Sequence, residues 1–254
     1  MVGITIIARA GSKRLKDKHF LEVYNKPIIQ YLINRIIHEF EKEILDNHVS
    51  VSIATSNINS CEVFNNFKSS FISIFRGSNE NIPKRLLQLA EENNLDFLIP
   101  IDGDDILCSK TGIRSIFNYL LDGKSYISTD GLPFGMNSFG FSKKFLKKSL
   151  FGYENMINET GWGYIFPEKN KEIINFSKCK NDNFMRYTLD YNEDFLFIKK
   201  IIEHFNEDIN LIDHNEIVEF VNRNNLFEIN MHLIDLYKKN FKKELNRDKI
   251  LLKE

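Results

Sequence analysis

Two short clusters of charge have the residue types and spacing to do chemistry. The segment "ARAGSKRLKDK", Ala8 to Lys18, carries two arginines and three lysines around Gly11 and Ser12, and "DGDD", Asp102 to Asp105, puts three carboxylates into four positions. A third candidate is Asp190, which follows "FMRYTL" and precedes a helical pattern. Phosphate oxygens need charge-assisted donors, and magnesium needs a few hard oxygen ligands while keeping waters and phosphates for the rest. Arg9, Arg14 and Lys18 can be those donors, and Asp104 and Asp190 those oxygens, so the set suits a nucleoside triphosphate with a divalent metal. Each part also has a plainer reading. Charge runs are usually solvated turns, acidic turns such as Asp102 and Asp105 often face water, and an acid before a helix can simply serve its N-terminus.

The elements that must position these residues can be read from periodicity. "VGITIIA" is a short, nearly continuous apolar run rich in β-branched residues, as expected for a strand buried on both faces, and "VSVSIAT", "ISIF" and "DFLIPI" also read as strands. Between them, "PIIQYLINRIIHEF" and "PKRLLQLAEENN" have helical spacing, with Pro27 expected in a first turn and Cys61 to Phe67 expected to be helical. "TGIRSIFNYLL" predicts another helix, "SYIST", "MNSFGFS" and "FMRYTL" predict strands, and "NEDFLFIKKIIEHF" predicts a helix capped by Asn192. Helical patterns at Glu216 to Asn222 and Leu226 to Glu244 close the chain. This βα alternation predicts an α/β fold, a doubly wound and mainly parallel sheet with helices on both faces. In such sheets ligands bind beyond the carboxyl ends of the strands, which is where all three charged clusters fall.

Composition narrows the function classes. A net charge of -1 over 254 residues argues against general nucleic-acid binding, which rests on a broad excess of Lys and Arg. Cys61, Cys108 and Cys179 are too scattered for a disulfide framework or a clustered zinc site, and the six histidines have no ligand spacing. No run approaches the length of a membrane span, so a soluble, cytoplasmic protein is expected. No repeat or linker divides the chain, and one domain over residues 1–254 is expected. The stretch at about 149–182 lacks a period and is too long for an ordinary connection; it is expected to be an inserted dimerisation arm, with Trp162 packing in it or at its contact. The opening loop has one glycine and no "GK[ST]" ending, which disfavours a P-loop ATPase.

The combination of motifs resembles the CMP-sugar synthetases, the family of acylneuraminate and 3-deoxy-manno-octulosonate cytidylyltransferases, and most of all its spore-coat-polysaccharide branch. The resemblance runs through "ARAGSKRLKDK", "RGSNENIPKRLLQLAEE", "IPIDGDDILC", "PFGMNSFGFSKKFL" and "RYTLDYNEDFLFIKKI", in that order, and so over almost the whole chain. It implies a Rossmann-like nucleotidyltransferase fold, CTP as substrate, Mg2+, a sugar acceptor and a homodimer. Carried over residue by residue, it implies phosphate binding by Arg9, Ser12, Arg14 and Lys18 and metal binding by Asp104 and Asp190, with Arg14, Lys18, Asp104 and Asp190 as the catalytic set. Where relatives often read "RLPGK" this chain reads "RLKDK", and where they read "DTPED" it reads "DYNED". The first change removes loop rigidity and the second alters residues beside Asp190.

Arg76 and Arg85 flank "GSNENIPK" and are candidates for nucleotide or acceptor contact, with ordinary ion pairing as the alternative. The expected reaction is transfer of CMP from CTP to a hydroxyl of an acidic surface-glycan sugar, with release of pyrophosphate. Two rivals remain at this point: a glycosyltransferase using Asp102 and Asp104 as a metal-binding D-x-D, and a nucleotide-binding subunit without turnover.

Overall fold

The structure, a computed structural model, describes residues 1–12 and 14–247. Its elements in chain order begin with β1 (Val2–Ile7), a small hairpin of β2 (Glu22–Val23) and β3 (Lys26–Pro27), α1 (Ile28–Leu45), β4 (Val49–Ser56), β5 (Ile72–Gly77) and α2 (Ile82–Glu92). There follow β6 (Phe97–Asp102), α3 (Lys110–Leu121), β7 (Tyr126–Asp130), β8 (Phe139–Ser142), α4 (Lys143–Leu150) and β9 (Glu172–Asn175). The chain then forms α5 (Asn192–Phe205), α6 (His214–Arg223) and α7 (Leu233–Arg247). Residues Asn59–Phe67 wind as 3-10 helix. Side chains stop three of the helices from fraying at their starts: Asn81, Ser109 and Ser142 accept the backbone N–H of Lys84, Gly112 and Phe145 at 2.8, 3.0 and 3.1 Å.

Seven strands form one sheet in the order β5-β4-β1-β6-β8-β7-β9. β8 runs antiparallel to both neighbours and every other pairing is parallel. β1 is buried throughout, as its unbroken apolar run requires. Val2, Ile4 and Ile6 enter a core shared with α1, α3, α5 and α6, while Ile7 joins a second core with α2, α4, Trp162 and Phe166. The sheet is therefore covered on both faces, as the alternation of elements predicts. Among the described residues no helix is long and apolar enough to cross a membrane.

Several local expectations are corrected. Pro27 precedes α1 and does not sit in its first turn, and Tyr191, not Asn192, stands at the start of α5. Leu226–Ile229 is a separate 3-10 turn before α7. Within segment 149–182, Trp162 and Phe166 are buried in the second core, and β9 pairs with β7 at the sheet edge. The segment's aromatic side chains make this packing more favourable than exposure.

"FMRYTL" is not a strand of the sheet. Residues 185–190 are buried and extended, tied by single bonds from Tyr187 N to Phe134 O (2.8 Å) and from Leu189 N to Asp104 O (3.0 Å). The turn containing Gly135 makes room for them. Gly135 has a φ of +90°, and a Cβ there would lie 2.8 Å from the backbone of Tyr187 and of Thr188. Gly135→Ala is accordingly expected to cost about 2 kcal/mol in backbone strain and displacement, lowering the melting temperature by roughly 4 to 8 °C. Calorimetry of wild type and variant checks this.

Candidate active site

The register of the sheet brings the charged loops together. Ile7, the last residue of β1, pairs with Asp102, the last of β6, so the loop from Ala8 and the turn from Gly103 leave the same edge side by side. Gly103 N donates to Ile7 O at 2.8 Å. A Cβ on Gly103 would come within 2.9 Å of that oxygen and 3.2 Å of the His19 ring, so only glycine allows this close crossing. The bond from Leu189 N to Asp104 O then sets Asp190 beside the same turn.

Around this junction lies a cleft of about 760 Å³ lined by the opening loop, Asp102, Asp104, the 159–163 turn and the α7 residues Tyr237, Phe241 and Glu244. At its floor the Lys18 ammonium donates to Asp104 Oδ2 at 2.6 Å and to Asp190 Oδ1 at 3.2 Å. Arg14 Nη2 donates to the same Asp190 oxygen at 2.8 Å, and its Nη1 lies 3.5 Å from Glu244 Oε2. Asp190 is only 2% exposed. Burial alone would raise its pKa, but Lys18, Arg14 and Arg186 together hold it below the usual carboxylate range. Burial likewise works against the charge of Lys18, and Asp104 and Asp190 overcome it and raise its pKa.

Arg186 and Asp194, neither of them among the sequence candidates, hold Asp190 from its buried side, outside the cleft lining. Arg186 is fully buried; its Nη2 donates to Asp190 Oδ2 at 2.8 Å, and its Nε and Nη2 donate to the two Asp194 oxygens at 2.9 and 3.1 Å. Asp194 also accepts the backbone N–H of Asp190 and of Tyr191, each at 3.0 Å, and the Tyr237 ring covers the guanidinium at 4.5 Å. The signal was the spacing of Arg186, Asp190 and Asp194 at four-residue intervals, obscured because the first half of that stretch reads as a strand.

The remaining candidates occupy different positions. Ser12 lines the cleft and its Oγ accepts Leu15 N at 3.4 Å. Arg9 is 54% exposed and pairs with Glu159 at 3.0 Å. Arg85 also reaches Glu159, at 2.8 Å, but it is buried and its Nε donates to Ser78 O, so it is no ordinary surface ion pair. Arg76 lies outside the cleft, donating to Ile58 O at 2.9 Å and to Glu62 at 3.2 Å. Asp102 is exposed at the end of β6 and opens onto the cleft, where a Trp162 hydrogen bond meets it; the surrounding cleft walls and the neighbouring Asp104 charge raise its carboxyl above the usual range. Asp105 turns to Thr188 instead, and burial with the charges of Asp104 and Asp102 raises it well above the usual range.

Burial, helped by the Lys18 charge, pushes His19 down to about 4. The unfolded chain, with a histidine near 6.5, therefore binds more protons between pH 4 and 6.5, and stability falls as pH drops through that window. Taking wild type from pH 7 to 4.5 is expected to cost roughly 2 to 3 kcal/mol more than it costs a His19→Gln variant. Urea titrations of both proteins at the two pH values measure the difference.

A cation-rich loop, two acids sharing one ammonium and a cleft at the carboxyl edge of a mainly parallel sheet define an α/β protein with a charged cleft where such folds bind their ligands. Comparison with known proteins then places it. The cytidylyltransferase family model matches residues 4–245, and the chain belongs to that family of nucleotidyltransferases. A protein of uncharacterised function from Methanocaldococcus jannaschii is 27% identical over 230 residues, covering 88% of this chain and 91% of its own. A cytidylyltransferase from Leptospira borgpetersenii has a similar structure, with a TM-score of 0.74 at 22% identity, covering 89% of this chain and 95% of its own. A CMP:2-keto-3-deoxy-manno-octonic acid synthetase solved with CTP has a TM-score of 0.55 at 13% identity, over 80% and 98% of the two chains. Both structures are similar in fold.

Proposed function

We propose that this enzyme joins the α-phosphorus of CTP to a hydroxyl of an acidic sugar destined for a surface glycan, releasing pyrophosphate, and that Asp104 and Asp190 hold Mg2+ while it does so. The observation that carries the reading is the single ammonium of Lys18 shared by Asp104 and Asp190: two carboxylates that hold one cation between them are placed to hold another. The donor set fits magnesium. Among the described residues no group of three or more His, Cys, Asp or Glu could form a metal cage, and magnesium uses one or two carboxylates with substrate phosphates completing its shell. When bound, the ion would draw charge from the phosphate oxygens and make an acceptor hydroxyl easier to deprotonate.

The chain's own residues do the rest by position. Arg14 and Lys18 at the floor, with Arg9 and Ser12 along the loop, bind the triphosphate and stabilise charge that builds on the leaving pyrophosphate. Arg85 holds Glu159, and Glu159 in turn holds Arg9 at the mouth of the cleft. The acceptor takes the part of the cleft lined by the rings of Phe139, Trp162 and Tyr237. Kinship with the spore-coat branch is supported by the order and spacing of its five motifs. A homodimer is supported by Phe151, Ile157, Tyr164 and Ile173, exposed apolar side chains of segment 149–182.

A pyrophosphate-release screen tests the function: CTP and the other nucleoside triphosphates against acidic and neutral sugars, with Mg2+. Release from CTP with an acidic sugar is expected. Release only with a purine triphosphate would overturn the CTP assignment, and release only with neutral sugars would overturn the acceptor.

A further inference from the structure

Both oxygens of Asp190 are already engaged. Oδ2 faces Arg186, which is fully buried and clamped by Asp194, so this contact has no freedom to open. Oδ1 is the oxygen left for a metal, and it accepts from Arg14 at 2.8 Å and from Lys18 at 3.2 Å. Lys18 also stands 2.6 Å from the Asp104 oxygen. A divalent ion bound between the two aspartates would meet the Lys18 ammonium at contact distance, in surroundings where Lys18 is only about a tenth exposed and like charges repel strongly. On those oxygens the ion and the ammonium would repel one another, which favours displacement of the ammonium.

We propose that Lys18 and the divalent ion are alternative occupants of the Asp104 and Asp190 carboxylate pair, and that entry of the ion transfers the Lys18 ammonium to the nucleotide phosphates. This rests on the reading above that these two aspartates are the metal ligands. An ammonium so enclosed cannot be left without an anion, and the triphosphate supplies one within the same cleft. Arg14, at 27% side-chain exposure, makes the parallel exchange from Asp190 Oδ1 to phosphate. Lys18 thus ties metal binding to nucleotide binding: each becomes more favourable once the other has taken its partner. Its role is to hold the carboxylate pair in metal-binding geometry and then to bind phosphate, which a simple phosphate-binding lysine would not do.

The test is Mn2+ binding to the protein alone, read from the loss of the free-ion electron paramagnetic resonance signal. Lys18→Met and Lys18→Gln are each expected to bind Mn2+ at least about tenfold tighter than wild type, because a charge-assisted competitor has been removed. Lys18→Arg keeps the charge and is expected to bind no tighter than wild type. Adding Asp104→Asn or Asp190→Asn to Lys18→Met is expected to abolish the gain. Circular dichroism confirms folding, and the Met and Gln variants back one another. If neither variant tightens binding while the aspartate substitutions still weaken it, the exchange is wrong and the metal site stands. If the aspartate substitutions leave Mn2+ binding of the Lys18→Met protein unchanged, the metal reading fails and the exchange with it.

Discussion

Asp104→Asn is expected to lower the rate of pyrophosphate release from CTP by about two orders of magnitude or more, the scale on which a preorganised charge beside the reacting centre acts, and to leave the protein folded. Asp104 is the cleaner of the two aspartates to test because it is partly exposed and Lys18 is its ion-pair partner among the described residues. Asp190→Asn is expected to be at least as damaging, with a loss of stability added. It removes the counter-charge of three cations at a buried position, and breaking buried pairs of this kind typically costs about 3 to 5 kcal/mol. Thermal denaturation separates the two contributions. Asp102→Asn is expected to be much milder than Asp104→Asn, since the Asp102 carboxyl faces the cleft beside Trp162 and does not touch Lys18. Comparable losses at Asp102 and Asp104, with little at Asp190, would favour the D-x-D glycosyltransferase. No pyrophosphate from wild type with any acceptor would favour the subunit without turnover.

The second large effect is on nucleotide binding. Arg14→Ala and Lys18→Ala are each expected to weaken CTP binding by about tenfold or more, the worth of one lost charge-assisted contact. Lys18→Ala should be the more severe, because the Lys18 ammonium is nearly buried and its contact with the phosphates is less screened by water than that of Arg14. Titration calorimetry with CTP in the presence of Mg2+ measures both. Affinities equal to wild type in both variants would return the loop to a solvated turn.

Reading the sequence reached the sheet and the first half of the site for the same physical reason. β1 and β6 are parallel strands in the middle of the sheet, buried over most of their length, so each appears as a nearly unbroken apolar run, and the charged residues just past them stand out. The second half obeys no such period. Residues 185–190 carry the alternation of a strand, but they are tied down by Phe134, Asp104 and the ion pairs of Arg186, a tertiary setting that local pattern does not encode. β8 runs antiparallel, which its four residues do not reveal. Segment 149–182 has no period because its order comes from packing Trp162 and Phe166 into a core and pairing β9 with β7. Glu244 and Tyr237 reach the cleft from α7, more than two hundred residues after Arg14, and nothing in the helix's own pattern marks the face it presents there. Arg76 and Arg85 show the opposite difficulty, similar residues nine apart, one of which lines the cleft while the other pairs outside it.

On the proposed function, Asp104 and Asp190 share one divalent ion on the phosphates of CTP. Crystals grown with CTP and Mn2+, with anomalous data collected at the manganese edge, address it most directly. A manganese peak is expected in contact with an oxygen of Asp104, with Oδ1 of Asp190 and with the nucleotide phosphates, with Arg14 and Lys18 turned to those phosphates. A peak held by Asp102 and Asp104 without Asp190, or a triphosphate bound away from Arg14 and Lys18, would contradict it.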